Sequence, residues 1–263
     1  MDTKERLSQV KCFLLDMDGT FYLGDRLIEG SLDFLQALKE TGRRNLFLTN
    51  NSSKTADTYR AKLRRMGVPE EFCNVLTSGQ AAARHFAHMM PGKKAWVFGN
   101  APVLEEMRAL GMETTEDDPD YVVLAFDTGF DYGKITKLCD LVRAGLPYFA
   151  THPDFNCPTE TGFIPDIGAT IAYVRASTGR EPDLIIGKPH RGIVEETLRV
   201  TGLAKEEMAM VGDRLYTDIA TGVNFGMLSV LVMSGETTEA MLAKSDTKPH
   251  LTFGRLSDMI PYL

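Results

Sequence analysis

The sequence lacks the features that are typical of secreted proteins, membrane-spanning proteins and proteins with zinc-binding cysteine motifs. Its 263 residues include only four cysteines, and no two of them form a CxxC pair, so neither a disulfide framework nor a zinc site is expected. No apolar run approaches the ~20 residues that cross a bilayer. The first ten residues mix both signs of charge and have no apolar core. No signal peptide is therefore expected, and we predict a cytoplasmic protein.

Positive charge is also scarce. The chain has 29 Lys and Arg against 36 Asp and Glu, which gives a net charge of −7. This charge repels nucleic-acid backbones and anionic membranes, so neither is an expected partner. Nucleotide-binding patterns such as GxxxxGK[ST] are absent. With 43% hydrophobic and 25% charged residues, the composition is that of an ordinary globular protein.

Short apolar runs alternate with amphipathic helical stretches along the whole chain. The predicted strands are 12–15, 46–48, 95–98, 121–126, 148–150, 184–186, 208–211 and 228–232. Several helical stretches between them end at a glycine, the expected helix stop. This alternation predicts an α/β fold with a doubly wound parallel sheet and helices on both faces. Functional residues then gather at the carboxyl ends of the strands.

Chemically useful residues follow four of the predicted strands, directly where each strand ends. In chain order they are Asp16, Asp18, Gly19, Thr49, Asn50, Lys188, Asp213 and Asp218. Two carboxylates at i and i+2 of a strand end point the same way, so they can share one metal and one substrate. The glycine permits a tight turn.

These residue types suit phosphoryl transfer. The reaction needs a nucleophile in line with the leaving oxygen, and positive charge on the equatorial oxygens. A carboxylate is a competent nucleophile, and Mg²⁺ binds one or two carboxylates together with phosphate and water. Asp16 and Asp213 fit as those carboxylates, and Lys188 supplies a fixed positive charge. Thr49 and nearby backbone N–H groups can donate to the transferring group.

The set of motifs resembles the haloacid dehalogenase (HAD) superfamily over essentially the whole chain. The matching segments, in family order, are Asp16-x-Asp18-Gly-Thr, Thr49-Asn50, Lys188-Pro189 and Gly212-Asp213-x₄-Asp218. The 136 residues between Asn51 and Lys188 resemble the NagD-type branch (subclass IIA), in which a cap domain is inserted after the second motif. We therefore predict a Rossmann-like catalytic core at 1–85 and 180–263, with an inserted α/β cap at 86–179.

The resemblance implies a role for each residue. Asp16 is the nucleophile that becomes an aspartyl-phosphate, and Asp18 acts first as general acid and then as general base. The implied phosphate-binding residues are Gly19, Thr49, Asn50 and Lys188. The implied Mg²⁺-binding residues are Asp16, Asp18 through its backbone carbonyl, and Asp213, with Asp218 in a supporting position.

The predicted activity is Mg²⁺-dependent hydrolysis of small phosphomonoesters. The core motifs contact only the transferring group, so specificity falls to cap loops within 151–168. There, Asp154 and Asp166 offer acceptors suited to hydroxyl-bearing substrates, which favours sugar or polyol phosphates over nucleotides, while nucleotides and aryl phosphates stay open as substrates. His152 has no partner at ligand spacing and is expected to be a loop or surface residue.

Two alternative functions stay open at this stage. A phosphotransferase or mutase uses the same aspartyl-phosphate but passes the phosphate to a sugar hydroxyl. A non-enzymatic phospho-receiver domain also combines acidic residues, Thr and Lys, although a receiver is about half this length. The sequence does not predict the oligomeric state.

Overall fold

The computed structural model describes residues 2–159 and 162–263. The chain divides into two compact units. The first unit comprises Met1–Thr49, Tyr59–Leu76 and Thr197–Leu263, and the second comprises Asn50–Thr58 and Thr77–Glu196. The core and cap boundaries given by the sequence stay a prediction.

The strands follow one another along the chain in short segments. Over the described residues they are β1 (Cys12–Leu15), β2 (Tyr22–Leu23), β3 (Arg26–Leu27), β4 (Arg44–Thr49), β5 (Val75–Thr77), β6 (Ala95–Phe98), β7 (Tyr121–Leu124), β8 (Tyr148–Ala150), β9 (Asn156–Thr159), β10 (Gly162–Pro165), β11 (Leu184–Ile185), β12 (Met208–Gly212), β13 (Leu228–Val232) and β14 (Leu251–Phe253).

Helices separate most of these strands. They are α1 (Thr3–Ser8), α2 (Ser31–Glu40), α3 (Ala56–Arg65), α4 (Ser78–Met89), α5 (Ala101–Ala109), α6 (Tyr132–Arg143), α7 (Ile167–Thr178), α8 (Arg191–Thr201), α9 (Ala220–Phe225) and α10 (Glu239–Lys244). Among the described residues, no helix combines the length and the apolar character needed to cross a membrane.

The first unit is built on a six-stranded sheet with the order β14-β13-β12-β1-β4-β5. β1 lies at its centre and pairs in parallel with both β12 and β4. All four residues of β1 are buried, as expected for a strand that is covered on both faces. Phe34 of α2 packs edge-on against Phe13 of β1, with the ring centroids 5.6 Å apart. Each such buried side chain contributes about 1.5–3 kcal/mol of transfer free energy.

The second unit is built on a four-stranded parallel sheet with the order β11-β8-β7-β6. Its core joins Trp96 and Phe98 of β6 to apolar residues of β7, β8, α6 and α7. β9 and β10 form a separate antiparallel pair. The polar residues that follow β8 therefore lie at the carboxyl end of a buried parallel strand.

The predicted α/β fold is confirmed, and each of the eight predicted strands coincides with a strand of the structure. The prediction missed the short pairs β2–β3 and β9–β10, together with β5 and β14. All of these except β5 are partly exposed, so they lack the continuous apolar run by which a buried strand is recognised.

Candidate active site

Three carboxylates meet at the carboxyl edge of the first unit's sheet. β1 and β12 are parallel neighbours, so Asp16 and Asp213, which follow them, emerge at the same edge. The Asp16 N–H donates to Val211 O at 2.9 Å, which continues the ladder one residue past the strand. Asp218 joins them from the π-helical turn Leu215–Ile219. One carboxylate oxygen of each aspartate lies within 4.8 Å of the others.

In the turn after β1, the backbone of Gly19 packs directly against the Asp213 carboxylate. Gly19 has a φ of +86°, and a Cβ at this position would lie 2.5 Å from Asp213 Oδ2. Only glycine both adopts this conformation readily and leaves room for the carboxylate. The fully buried Thr20 donates from Oγ1 to Asp213 Oδ1 at 3.2 Å. Asp18 is half-buried, and its backbone is bridged to Tyr22.

A loop after β13, residues 234–237, holds Asp213 from another side. The Glu236 N–H donates to Asp213 Oδ2 at 2.6 Å, and the Thr237 N–H donates to the Asp213 carbonyl at 3.2 Å. A Cβ on Gly235 would fall 2.0 Å from Asp213 Oδ2, so the loop can approach this closely only through glycine. With Thr20 on one oxygen and Glu236 on the other, the carboxylate is fixed in orientation.

The carboxylate cluster is rich in negative charge. Burial, followed by repulsion from Asp16 and Asp218, raises the pKa of Asp213 to about 7. Burial lowers the pKa of the Arg214 guanidinium, but nearby acidic groups, Asp16 foremost, raise it by more, so this group stays charged. Arg214 Nε lies 3.0 Å from Glu236 Oε2, an ion pair without hydrogen-bond alignment. The guanidinium thus faces three carboxylates, those of Asp16, Asp213 and Glu236, and a divalent cation would offset the remaining charge of the cluster.

The donor set fits an oxygen-seeking cation. The group of Asp16, Asp213 and Asp218 supplies carboxylate oxygens alone, which are the ligands that Mg²⁺ and Ca²⁺ prefer. Zinc sites use His and Cys more often. Thr49, the last residue of β4, is 8% exposed, and β4 is the neighbour of β1 on the side away from β12. A polar group on Thr49 thus belongs to the same strand edge as the carboxylates.

In the second unit, the side chain of Asn50 pairs with the backbone of Lys188. The Lys188 N–H donates to Asn50 Oδ1 at 2.8 Å, and Asn50 Nδ2 donates to Lys188 O at 2.9 Å. The second Nδ2 hydrogen has a partner in Asp154 Oδ1, at 3.1 Å. The Asn50 amide therefore uses its acceptor and both of its donors. Lys188 itself is 2% exposed.

Asp154 and Asp166 lie in a buried polar group with His152. His152 lies in the loop after β8, as expected, but it is fully buried and not a surface residue. Its Nε2 lies 2.9 Å from Asp166 Oδ1. Asp166 also caps α7 by accepting from the Ile167 N–H at 2.6 Å. One ligand atom of each of His152, Asp154 and Asp166 lies within 4.8 Å of the others.

The predicted site residues thus fall into two groups. The first unit carries Asp16, Asp18, Gly19, Thr49, Asp213 and Asp218, and the second unit carries Asn50, Asp154, Asp166 and Lys188. Sequence reasoning missed Thr20, Arg214, Gly235 and Glu236 as neighbours of Asp213. One signal could have indicated Gly235 and Glu236: their loop follows the predicted strand 228–232, and functional residues gather at the carboxyl ends of parallel strands. The loop has no motif of charged residues that would have singled it out.

Two family descriptions match this chain. Residues 13–113 match the haloacid dehalogenase-like hydrolases, and residues 185–259 match the HAD-hydrolase-like family. An acid sugar phosphatase of Staphylococcus aureus (strain MRSA252) is 35% identical over 98% of this chain and 99% of its own length. The 5′-nucleotidase YutF of Bacillus subtilis (strain 168) is 34% identical over 96% of this chain and 98% of its own length.

Solved structures share the whole fold. The 4-nitrophenylphosphatase of Thermotoga maritima superposes with a TM-score of 0.93 at 45% identity, over 97% of this chain and 98% of that chain. A glycerol phosphate phosphatase of Mycobacterium tuberculosis, solved in complex with magnesium, gives a TM-score of 0.87 at 29% identity, over 95% of this chain and 76% of that chain. The same enzyme has also been solved in complex with calcium.

The parallel sheet, the strand-edge carboxylates and these matches define the class: the chain belongs to the haloacid dehalogenase-like hydrolases. Within that family it is a NagD-type phosphatase, a hydrolase that acts on phosphomonoesters. This result excludes the non-enzymatic receiver domain. It does not specify which phosphomonoester is the substrate.

Proposed function

We propose that this chain is a Mg²⁺-dependent phosphatase that hydrolyses small sugar or polyol phosphates through an aspartyl-phosphate on Asp16. The observation that carries the proposal is the carboxylate cluster at the edge of the first unit's sheet. Its members differ in exposure: Asp16 is half-buried, whereas Asp213 and Asp218 are buried. Asp16 is therefore the member that a substrate can reach.

The metal-binding roles follow from the donor set and from the matching motifs. Asp16 and Asp213 would bind Mg²⁺ through their carboxylates and Asp18 through its backbone carbonyl, with Asp218 in support. When bound, the cation offsets the repulsion between the Asp16 carboxylate and the phosphate dianion, and it polarises the phosphoryl oxygens. The magnesium complex of the glycerol phosphate phosphatase supports this choice of cation.

The proposed reaction has two steps. In the first step, a carboxylate oxygen of Asp16 bonds to phosphorus, the ester P–O bond breaks, and protonated Asp18 gives its proton to the leaving alkoxide. In the second step, the Asp18 carboxylate takes a proton from water, the water oxygen bonds to phosphorus, and the bond from phosphorus to Asp16 breaks. One ester and one water become one alcohol and one phosphate, and both aspartates are regenerated.

The remaining motif residues would stabilise the transferring group. The motifs assign phosphate binding to Gly19, Thr49, Asn50 and Lys188, and we propose the same roles. Donors that are already oriented before the charge develops lower the barrier most, since no reorganisation is needed during the reaction. The Asn50–Lys188 backbone pairing supports such preorganisation, because it fixes the start of the Lys188 side chain.

A ranked substrate panel tests the proposed substrate class. Release of free phosphate would be measured for sugar phosphates, polyol phosphates, nucleoside monophosphates and p-nitrophenyl phosphate, without an added acceptor, and ranked by kcat/KM. We expect sugar or polyol phosphates to lead, as the acid sugar phosphatase relative suggests. Nucleotides at the head of the ranking, as the nucleotidase relative would suggest, would contradict the substrate class. Phosphate transfer only in the presence of a sugar acceptor would favour a phosphotransferase.

A further inference from the structure

A continuous line of hydrogen bonds crosses the second unit and ends at Asp166. The Phe126 N–H donates to Ser52 Oγ at 2.9 Å. Ser52 Oγ lies 2.8 Å from Thr151 Oγ1, which lies 3.2 Å from His152 Nδ1. At the far side of the imidazole ring, His152 Nε2 lies 2.9 Å from Asp166 Oδ1. The line therefore joins the end of β7, the loop after β4, the end of β8 and the start of α7.

The direction of this line follows from counting donors and acceptors. With Asp166 as a carboxylate, which only accepts, His152 Nε2 carries the hydrogen and donates to Asp166. The Nδ1 atom of a neutral imidazole is then an acceptor, which takes the Thr151 hydroxyl hydrogen. The Thr151 oxygen in turn accepts from Ser52, whose oxygen already accepts from the Phe126 N–H. Every group is satisfied, and Ser52, Thr151 and His152 are all fully buried.

Two residues near His152 form hydrogen bonds with Asn50, which lies in the same loop as Ser52. Ser78 Oγ donates to Asn50 O and lies 3.4 Å from His152 Nδ1. Asp154, two residues after His152, accepts from Asn50 Nδ2 at 3.1 Å. Both the backbone and the side-chain amide of Asn50 are thus held by residues that surround the buried histidine.

We propose that Asp154 and the Asp166–His152 pair are positioning residues, which hold Asn50 and, through it, the backbone of Lys188 for phosphate binding. This inference rests on the proposed function, because it deepens the role of residues assigned there to the phosphate. The polar atoms of the pair are turned inward, onto Ser78, Thr151 and the start of α7. The sequence-based prediction assigns Asp154 and Asp166 instead to contacts with the rest of the substrate.

Inorganic phosphate distinguishes the two roles. It is a product and a competitive inhibitor of the proposed reaction, and it has no sugar or polyol part. A residue that contacts only that part would leave the inhibition constant of phosphate unchanged when it is mutated. A residue that positions Asn50 and Lys188 would change this constant and would affect all substrates alike.

The chain offers matched variants for this experiment. Asp166→Ala removes the acceptor for His152 and for the Ile167 N–H, whereas Asp166→Asn keeps an Oδ1 acceptor for both. Asp131→Ala is the control, because exposed Asp131 caps α6 by accepting from the Lys134 N–H at 2.8 Å. α6 and α7 are both 12 residues long, so the two alanine variants each lose one helix cap. Only Asp166→Ala also interrupts the line to Asn50.

We expect Asp166→Ala to raise the phosphate inhibition constant and to lower kcat/KM by one common factor, about tenfold to hundredfold, for sugar phosphates and p-nitrophenyl phosphate alike. Asp166→Asn should recover most of the loss, and Asp131→Ala should match wild type. Asp154→Ala, which leaves the α7 cap in place, should show the same uniform pattern and serves if Asp166→Ala does not fold.

Two outcomes overturn different claims. An unchanged phosphate inhibition constant in folded Asp154→Ala and Asp166→Ala, with KM raised for some substrates only, would overturn the positioning role and leave the phosphatase activity standing. A wild-type protein that releases phosphate from no substrate would instead overturn the proposed function.

Discussion

At the residue scale, the three clustered aspartates differ in exposure, and hydrogen bonds fix the carboxylate of Asp213. Asp16 is half-buried, while Asp213 accepts a hydrogen bond on each carboxylate oxygen. A fixed carboxylate is a good metal ligand, because its orientation is set before the cation arrives. A reachable carboxylate is a good nucleophile. The environments of Asp16 and Asp213 thus support the different roles that we propose for them.

Replacing Asp18 should slow both proposed steps. We expect Asp18→Asn to lower kcat for a sugar phosphate by about 10²–10⁴, the usual contribution of a positioned acid or base. With p-nitrophenyl phosphate the first step needs no proton, so a rapid burst of one nitrophenolate per enzyme should precede slow turnover. Stopped-flow absorbance would record the burst, with the exposed Asp33→Asn variant as control. Near-normal turnover of the sugar phosphate by Asp18→Asn would count against the assignment.

The raised pKa of Asp213 predicts how metal stabilisation varies with pH. Its folded-state pKa of about 7 exceeds the ~3.9 of an unfolded chain, so the folded protein binds more protons between these values. The stability that this group contributes without metal is therefore lost as pH rises through that window. Because Mg²⁺ would replace the lost protons, we expect the gain in Tm with Mg²⁺ over chelator to grow with pH.

Thermal unfolding at a series of pH values, with Mg²⁺ and with chelator, would measure this gain. Asp213→Asn carries no titrating group at this position and should lose most of the pH dependence. A gain in Tm that shrinks as pH rises, in the wild-type protein, would contradict the electrostatic account of the cluster.

At the element scale, the loop after β13 acts as a second support for the metal-binding edge. Besides its bonds to Asp213, it reaches the turn after β1, because Ser234 Oγ donates to Gly19 O at 2.8 Å. The ends of β1, β12 and β13 are therefore tied together by a loop outside the four family motifs. Such outer contacts orient metal ligands and influence affinity strongly.

Gly235→Ala should disturb this support without removing any charged group. The new Cβ would fall 2.0 Å from Asp213 Oδ2, so either the loop or the carboxylate must move. We expect the affinity for Mg²⁺ or Mn²⁺, measured by titration calorimetry on the unliganded enzyme, to fall about tenfold to hundredfold. Gly129→Ala is the control, since the nearest atom to its Cβ would be 3.7 Å away. Equal metal affinities for the two variants would contradict the role of the loop.

Strand positions and strand-end motifs were predictable from sequence, because buried parallel strands read as continuous apolar runs such as that of β1. The carboxyl-edge rule then placed Asp16 and Asp213 together, and the structure agrees. Long-range pairing was not predictable. Nothing local to His152 indicates that its ring is buried and that Nε2 lies beside Asp166.

The support around Asp213 shows the same limit. A backbone N–H such as that of Glu236 carries no sequence signature, because every residue except proline has one. Its approach to Asp213 depends on the packing of β13 beside β12, a pairing between distant parts of the chain. Sequence patterns therefore point to the residues of the carboxylate cluster better than to the groups that hold them.

At the scale of the whole molecule, the net charge of −7 opposes the binding of an anionic substrate. Local cations must overcome this field, and in our proposal these are Lys188 and the metal. Of these, the metal carries the largest charge, so its removal should have the largest effect on binding and turnover.

Metal substitution tests this dependence. Activity should vanish with excess chelator and return with Mg²⁺, while Ca²⁺ should support little turnover. Ca²⁺ accepts more ligands than Mg²⁺, so it can engage both oxygens of Asp16 and withhold the attacking one. Phosphate release under each condition would be measured on one protein preparation. Full activity in Ca²⁺, or in excess chelator, would contradict the proposed site.

The most direct test of the central claim is detection of phosphate bound covalently to Asp16. Protein mixed with ³²P-labelled p-nitrophenyl phosphate, whose leaving group needs no proton, and Mg²⁺ would be quenched in acid, and the label that stays with the protein would be counted. Acid-stable, hydroxylamine-labile label should be found in wild type, should accumulate in Asp18→Asn, which lacks the base for the second step, and should be absent from Asp16→Asn. Label of equal amount in Asp16→Asn, or phosphate release by that variant at the wild-type rate, would contradict the account.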